Sequence, residues 1–189
     1  MIFAAFAFAV AAADSPRCNA TMVDTLQAQV REYDRQGSGG DAAARRKRFA
    51  ALDGVLHELD EERGVLHAVC ASDEPLAALD AQLSATAAWA LVQQAGLGAS
   101  LTTCPAAGPY LETALLAQAW LDLATSAKDV QGNAALVAVQ PKVEGRAAAA
   151  GLKLPAFADT SDYWRSQTDT QARAAAARVC AQPSPAPAP

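Results

Sequence analysis

The stretch 42-AAARRKRFAALDGVLHELDEERGVLHAVC-70 decides the fold class of this chain. Phe49, Leu52, Leu56, Leu59, Leu66 and Cys70 recur at alternating steps of three and four, with Arg63 interrupting. That spacing lines one face of a long α-helix and matches the seam of a helical bundle. Asp41 stands just before the stretch as an N-cap, its carboxylate placed to accept from the free N–H groups of the first turn. Gly54 and Gly64 each cost such a helix ~1 kcal/mol relative to Ala, which makes either a point for a bend.

Outward from this seam the same period continues. Upstream, Asn19 to Gln36 carries Met22, Val23, Leu26, Val30 and Tyr33 at helical steps, and Gly37-Ser38-Gly39-Gly40 breaks the run. Downstream, Ser72-Asp73-Glu74-Pro75 is a helix start, with capping side chains, early acids and a proline in the first turn. Leu76, Leu79, Leu83, Ala87, Ala90 and Leu91 form the face of this third helix, and Gly96 is its expected end. A fourth helix, from about Tyr110 to Lys128, is apolar on most sides (Leu111, Leu115, Leu116, Trp120, Leu121, Leu123) and is expected to be the central element. Gly132-Asn133 breaks it, or it continues towards Gln140 before Pro141. Between Pro141 and Asp159 the pattern supports only a short Ala-rich helix ending at Gly151. Thr160 or Ser161 then caps a last helix reaching Cys180, with Trp164, Thr168, Ala172, Ala175 and Val179 on one side. No strand pattern and no internal repeat is evident. The expectation is an all-α, up-down bundle of about five helices, stapled by disulfides, over residues 14–181.

Composition agrees with this architecture. The 189 residues suit one domain. Alanine makes up roughly a quarter of them, the best helix former and the poorest contributor of buried area. With 6% aromatic residues, the core must be Leu, Ala and Val. The net charge of −5 argues against a general nucleic-acid binder.

The ends differ from the middle. Ile2 to Val10 is an unbroken Phe/Ala/Ile/Val run, followed by Ala11-Ala12-Ala13 and Asp14-Ser15-Pro16. This has the length of a signal-peptide core and a small-residue cleavage pattern, so residues 1–13 are read as a signal peptide. The run is too short for a membrane span of ~20 apolar residues, so no transmembrane segment remains after its removal. No Lys or Arg precedes the run; a start assigned too far downstream would account for that. Arg17 before Cys18 excludes a lipoprotein site. Residues 182–189, dominated by alternating prolines, are expected to be an extended, disordered tail.

Four widely spaced cysteines, Cys18, Cys70, Cys104 and Cys180, each near a helix end, fit two disulfides and an oxidising compartment, the periplasm or exterior. Cys18 and Cys70 fall at one end of an up-down bundle. If the fourth helix descends as one long element and the last rises, Cys104 and Cys180 meet at the other end. The expected pairing is therefore Cys18–Cys70 and Cys104–Cys180.

No catalytic, cofactor or metal motif is complete. His57-Glu58-Leu59-Asp60-Glu61 has the first half of an HExxH zinc site, but Glu61 stands where the second His is required, and His67 lies ~15 Å further along a straight helix. Glu58 and Glu62 share a face as paired carboxylates, within an acidic run that reads as solvated. Gly96-Leu97-Gly98 lacks the third glycine of a dinucleotide loop and a preceding strand. Asn19-Ala20-Thr21 fits a glycosylation sequon, and Trp89, Trp120 and Trp164 read as core.

The unusual feature is the basic run Arg45-Arg46-Lys47-Arg48. It occupies the first turns of its helix, where the macrodipole disfavours cations by a few tenths of a kcal/mol each, roughly. The run either pairs with Glu32 and Asp34 across the first hairpin or faces an anionic partner, a protein surface or an envelope component. The functional expectation is a non-catalytic exported binding protein. The alternative is a bundle that carries a lipid or other hydrophobic ligand, or an enzyme whose site is not visible as a motif.

Overall fold

The computed structural model describes residues 19–37, 39–70, 73–129, 133–160 and 162–181. The expected leader, Cys18 and the Pro/Ala tail lie outside these residues. The described chain forms six α-helices and two single 3-10 turns: α1 (Thr21–Gln36), α2 (Ala42–Val69), α3 (Asp73–Leu101), a turn at Pro105–Ala107, α4 (Gly108–Asp129), α5 (Ala134–Ala149), a turn at Phe157–Asp159 and α6 (Asp162–Ala181). The all-α bundle is as expected, with six helices instead of five.

The long α2 seam packs as its period demands. Leu52, Val55, Leu59 and Leu66 are buried, and Phe49, Leu56 and Cys70 flank them. Asp41 caps the helix by accepting from Ala44 N at 2.8 Å. Gly54 and Gly64 lie within the continuous helix and meet no neighbouring side chain.

The sixth helix is α5, which joins the stretch up to Gln140 and the short Ala-rich helix expected to end at Gly151 into one element. Pro141 sits inside it, where it cannot bond the Val137 carbonyl. An interior proline costs a helix ~3 kcal/mol relative to Ala. The helix nonetheless runs through, because Leu136, Val139, Val143 and Ala147 form one buried stripe spanning the proline. Pro141 and Val137 are both exposed, so the lost bond falls on the solvent side of the helix and not in the core. Asn133 caps its start, accepting from Ala135 N at 2.9 Å. Gly151, at φ 71°, closes its end in a Schellman turn with Leu152 N bonded to Ala147 O.

The central element is α3, not α4. It packs against α1, α2, α4 and α5, whereas α4 packs against α3, α5 and α6. One face of α3 joins α1 and α2 in a core of Val23, Leu26, Val30, Leu52, Val55, Leu59, Leu66, Leu79, Leu83, Ala90 and Leu97. Its other face joins α4 and α5 through Ala81, Ala85, Ala88, Leu91, Ala119, Trp120, Leu123, Leu136, Val139 and Val143. Small residues let four helices approach one. α3 also runs past Gly96 to Leu101, because its glycines serve packing and not termination. A Cβ at Gly98 would stand 3.1 Å from the Phe49 ring, and one at Gly108 would meet Ala99 O at 2.9 Å.

Amides on α3 tie it to its neighbours. Gln82 donates to Asp24 at 2.7 Å and Gln93 to Val30 O at 3.0 Å, an order that makes α1 and α3 parallel. Gln94 donates to Phe49 O at 3.3 Å and Arg63 to Ser84 Oγ at 2.9 Å, the antiparallel order for α2.

Cys104 and Cys180 form the expected disulfide, with Cα atoms 5.8 Å apart. The route differs from the one anticipated. α4 and α5 are separate antiparallel helices, and residues 150–160 carry the chain back along α4 so that α6 rises in the same sense as α5. Trp120 anchors that return, donating to Pro155 O at 3.0 Å and packing against the Phe157 ring, tilted by 42°, at 4.3 Å between ring centroids. Cys70 is also disulfide-bonded, but the expected Cys18–Cys70 pairing falls on a residue outside those described.

Candidate functional site

The acidic centre of α2 does not assemble a site. His57 and Glu61 approach to 3.4 Å with both side chains largely exposed, and His67 turns instead towards α3, 2.9 Å from Asp80. Arg63, which interrupts the seam, faces the same carboxylate at 3.5 Å. That distance is an ion pair without hydrogen-bond geometry, and Asp80 Oδ1 correspondingly accepts no hydrogen bond. Among the described residues no group of three or more His, Cys, Asp or Glu side chains is placed to hold a metal ion. Gly96-Leu97-Gly98 lies inside α3 and forms no loop. Trp120 and Trp89 pack into the cores, and Trp164 packs beside the second.

The basic run is divided. Arg45 donates to Gly40 O at 2.9 Å; Arg48 donates to Gln36 O at 3.3 Å and also to Gly39 O. These two guanidiniums fasten the hairpin between α1 and α2. Arg46 and Lys47 face solvent, and neither has a hydrogen-bond or ion-pair partner among the described residues. The pairing with Glu32 and Asp34 does not occur. Glu32 is taken by Arg35, one turn along its own helix, at 2.6 and 2.8 Å. The Arg35 guanidinium, helped by the Gln36 amide, holds the Glu32 carboxyl at about 2, well below its ordinary 4.5. Asp34 is taken by Lys142 of α5, at 2.9 Å.

That last pair crosses a feature the sequence did not announce. α1 and α5 both lie on α3 but, among the described residues, do not pack on each other. A groove therefore runs along α3 between them. Near the α1–α2 hairpin it widens into a recess of about 250 Å³, lined by Tyr33, Asp34, Arg48, Gln93, Gly96 and Arg146 among others. Lys142 bridges the groove to Asp34 and lies 4.1 Å from the Trp89 ring centroid. Arg146 pairs with the mostly buried Glu112 of α4 at 2.8 Å and lays its guanidinium over Gly96, where an added Cβ would stand 3.3 Å from Nη2. Gly96, read as a helix end, was the one sequence signal of this recess.

Among the described residues no helix is long and apolar enough to cross a membrane. Comparison with protein-family models, curated proteins and solved structures finds no match to this chain.

Proposed function

We propose that this chain is a non-catalytic, exported binding protein that engages an anionic envelope component through cations at the hairpin end of its bundle. The observation that carries the reading is the pair Arg46 and Lys47. Both are exposed and unpaired among the described residues, in a chain of net charge −5, on helical turns where the dipole opposes them. Neither side chain has a hydrogen-bond or ion-pair partner among the described residues, which leaves both placed to meet an anionic surface. Export is supported by the Cys104–Cys180 bridge, since disulfides persist in oxidising compartments. The carrier alternative calls for a cavity beside α4. There, Ala114, Leu116, Ala117, Ala119, Trp120, Leu123 and Ala124 are all buried, and the recesses of about 240 and 320 Å³ that α4 borders are lined in part by charged and amide side chains, Asp60, Arg63, Gln118 and Asp122 in one and Gln140 and Glu144 in the other.

The test is co-sedimentation of the purified protein with phosphatidylglycerol-containing and phosphatidylcholine vesicles. Binding is expected to the anionic vesicles alone. It should fall at least ten-fold in R46E/K47E, with far-UV CD unchanged. Equal binding to both vesicle types, or binding indifferent to the double reversal, overturns the reading. Intact mass of the exported chain would show cleavage near residue 13.

A further inference from the structure

We propose that the recess between α1, α3 and α5 is a phosphate site, in which Arg48 and Arg146 hold a phosphoryl group. This deepens the binding reading above and rests on it for the anionic partner.

Charge is the first argument. Each Nη of Arg48 gives one N–H to a backbone carbonyl, which positions the guanidinium without neutralising it and leaves a second N–H on each. Its Nε is buried and donates to nothing among the described residues. Among the described residues the guanidinium is therefore held by neutral acceptors alone. The acid lining the recess, Asp34, is already paired with Lys142, and Arg146 is paired with Glu112. Three cations against two carboxylates leave one positive charge, that of Arg48, uncompensated within the recess.

Shape is the second. The missing side chain at Gly96 gives Arg146 its place across α3, and the floor there is backbone. Arg146 engages Glu112 through Nε, so its Nη groups lie on the recess side, over Gly96. Guanidinium forks match the tetrahedral oxygens of phosphate in geometry as well as charge. Free phosphate and a phospholipid headgroup present the same chemistry to this recess.

Calorimetric titration with inorganic phosphate at constant ionic strength, against chloride, tests the site directly. Wild type should bind with one-to-one stoichiometry. R146Q should weaken binding at least ten-fold. The double variant R146Q/E112Q, which leaves no unpaired buried acid, should remain equally weak. E112Q alone frees Arg146 and should tighten binding by several-fold. R46E/K47E should retain phosphate binding within about three-fold.

Phosphate that binds wild type no better than chloride, or that binds R146Q/E112Q as tightly as wild type, overturns the proposal. The vesicle assay separates the two sources. Loss of phosphatidylglycerol binding in R146Q/E112Q identifies a lipid headgroup, and vesicle binding unchanged in that variant identifies free phosphate. Vesicle binding that depends on Arg46 and Lys47 while phosphate fails to bind leaves the binding reading intact and removes only this site.

Discussion

The two faces of α3 bury different kinds of surface. On the α1–α2 side the core is Leu and Val, with Leu26, Leu52, Leu66 and Leu83 fully excluded from water. On the α4–α5 side, α3 contributes mainly Ala81, Ala85 and Ala88, and the bulk comes from Trp120, Leu123, Leu136 and Val143 opposite. The first core gains stability chiefly from apolar area, at roughly 25 cal/mol per Å². The second relies on close approach of helix backbones, because alanine buries little area of its own. It also carries the Trp120–Phe157 contact and the Cys104–Cys180 bridge, which closes a loop with a sequence separation of 76, while the first half has a disulfide of its own at Cys70.

The contrast can be broken by size. Truncating Leu66→Ala in the first core should leave a cavity and cost about 3–4 kcal/mol in chemical denaturation. A loss under 1 kcal/mol would mean that the Leu/Val face collapses freely and is not the better-packed half. Replacing both members of the bridge, C104S/C180S, should cost about 4 kcal/mol through the entropy returned to the unfolded chain. Native-state hydrogen exchange should then speed up in α6 and early α4 while the α1–α2 amides keep their protection. Uniform loss of protection would show that the two halves unfold as one. Enlarging Ala88→Leu should force α3 and α4 apart at a cost of about 2 kcal/mol. A neutral or stabilising result would mean that the alanine face is loosely packed and that its small residues were not needed for approach.

The first core was legible in the sequence. Its Leu and Val residues stand out against charged neighbours at steps of three and four, so Phe49 to Cys70 and Val23 to Val30 could be read directly. The second was not. Ala81, Ala85 and Ala88 look the same as alanines on an exposed helix, because alanine suits a helix whether or not it is buried. The large side chains of α4 drew attention to that helix, and the hub fell on α3, which besides Leu79, Leu83, Leu91 and Leu97 buries small and polar residues such as Ser84, Thr86 and Gln94. Pro141 misled for a related reason: its helix penalty is local, while the stripe from Leu136 to Ala147 that outweighs it draws on burial against α3 and α4.

The candidate site divides in the same way. The basic run was visible as four adjacent charges, but their fates were not. Arg45 and Arg48 turn back to the hairpin carbonyls, and only Arg46 and Lys47 reach solvent. Arg146 lies about 100 residues from Arg48 in the chain, and nothing in its neighbourhood of alanines marks it as a partner in a recess.

By itself the sequence determined that this chain is helical, where its caps and most of its breaks fall, and that Cys104 and Cys180 suit a bridge. Those properties depend on interactions within a few residues, where period, capping groups and glycine act. Tertiary structure decided which helix is central, that a proline is carried inside α5, and that α1 and α5 part to leave a charged groove. Each of these depends on how closely distant segments approach, and that distance is set by side-chain volume summed over several helices at once.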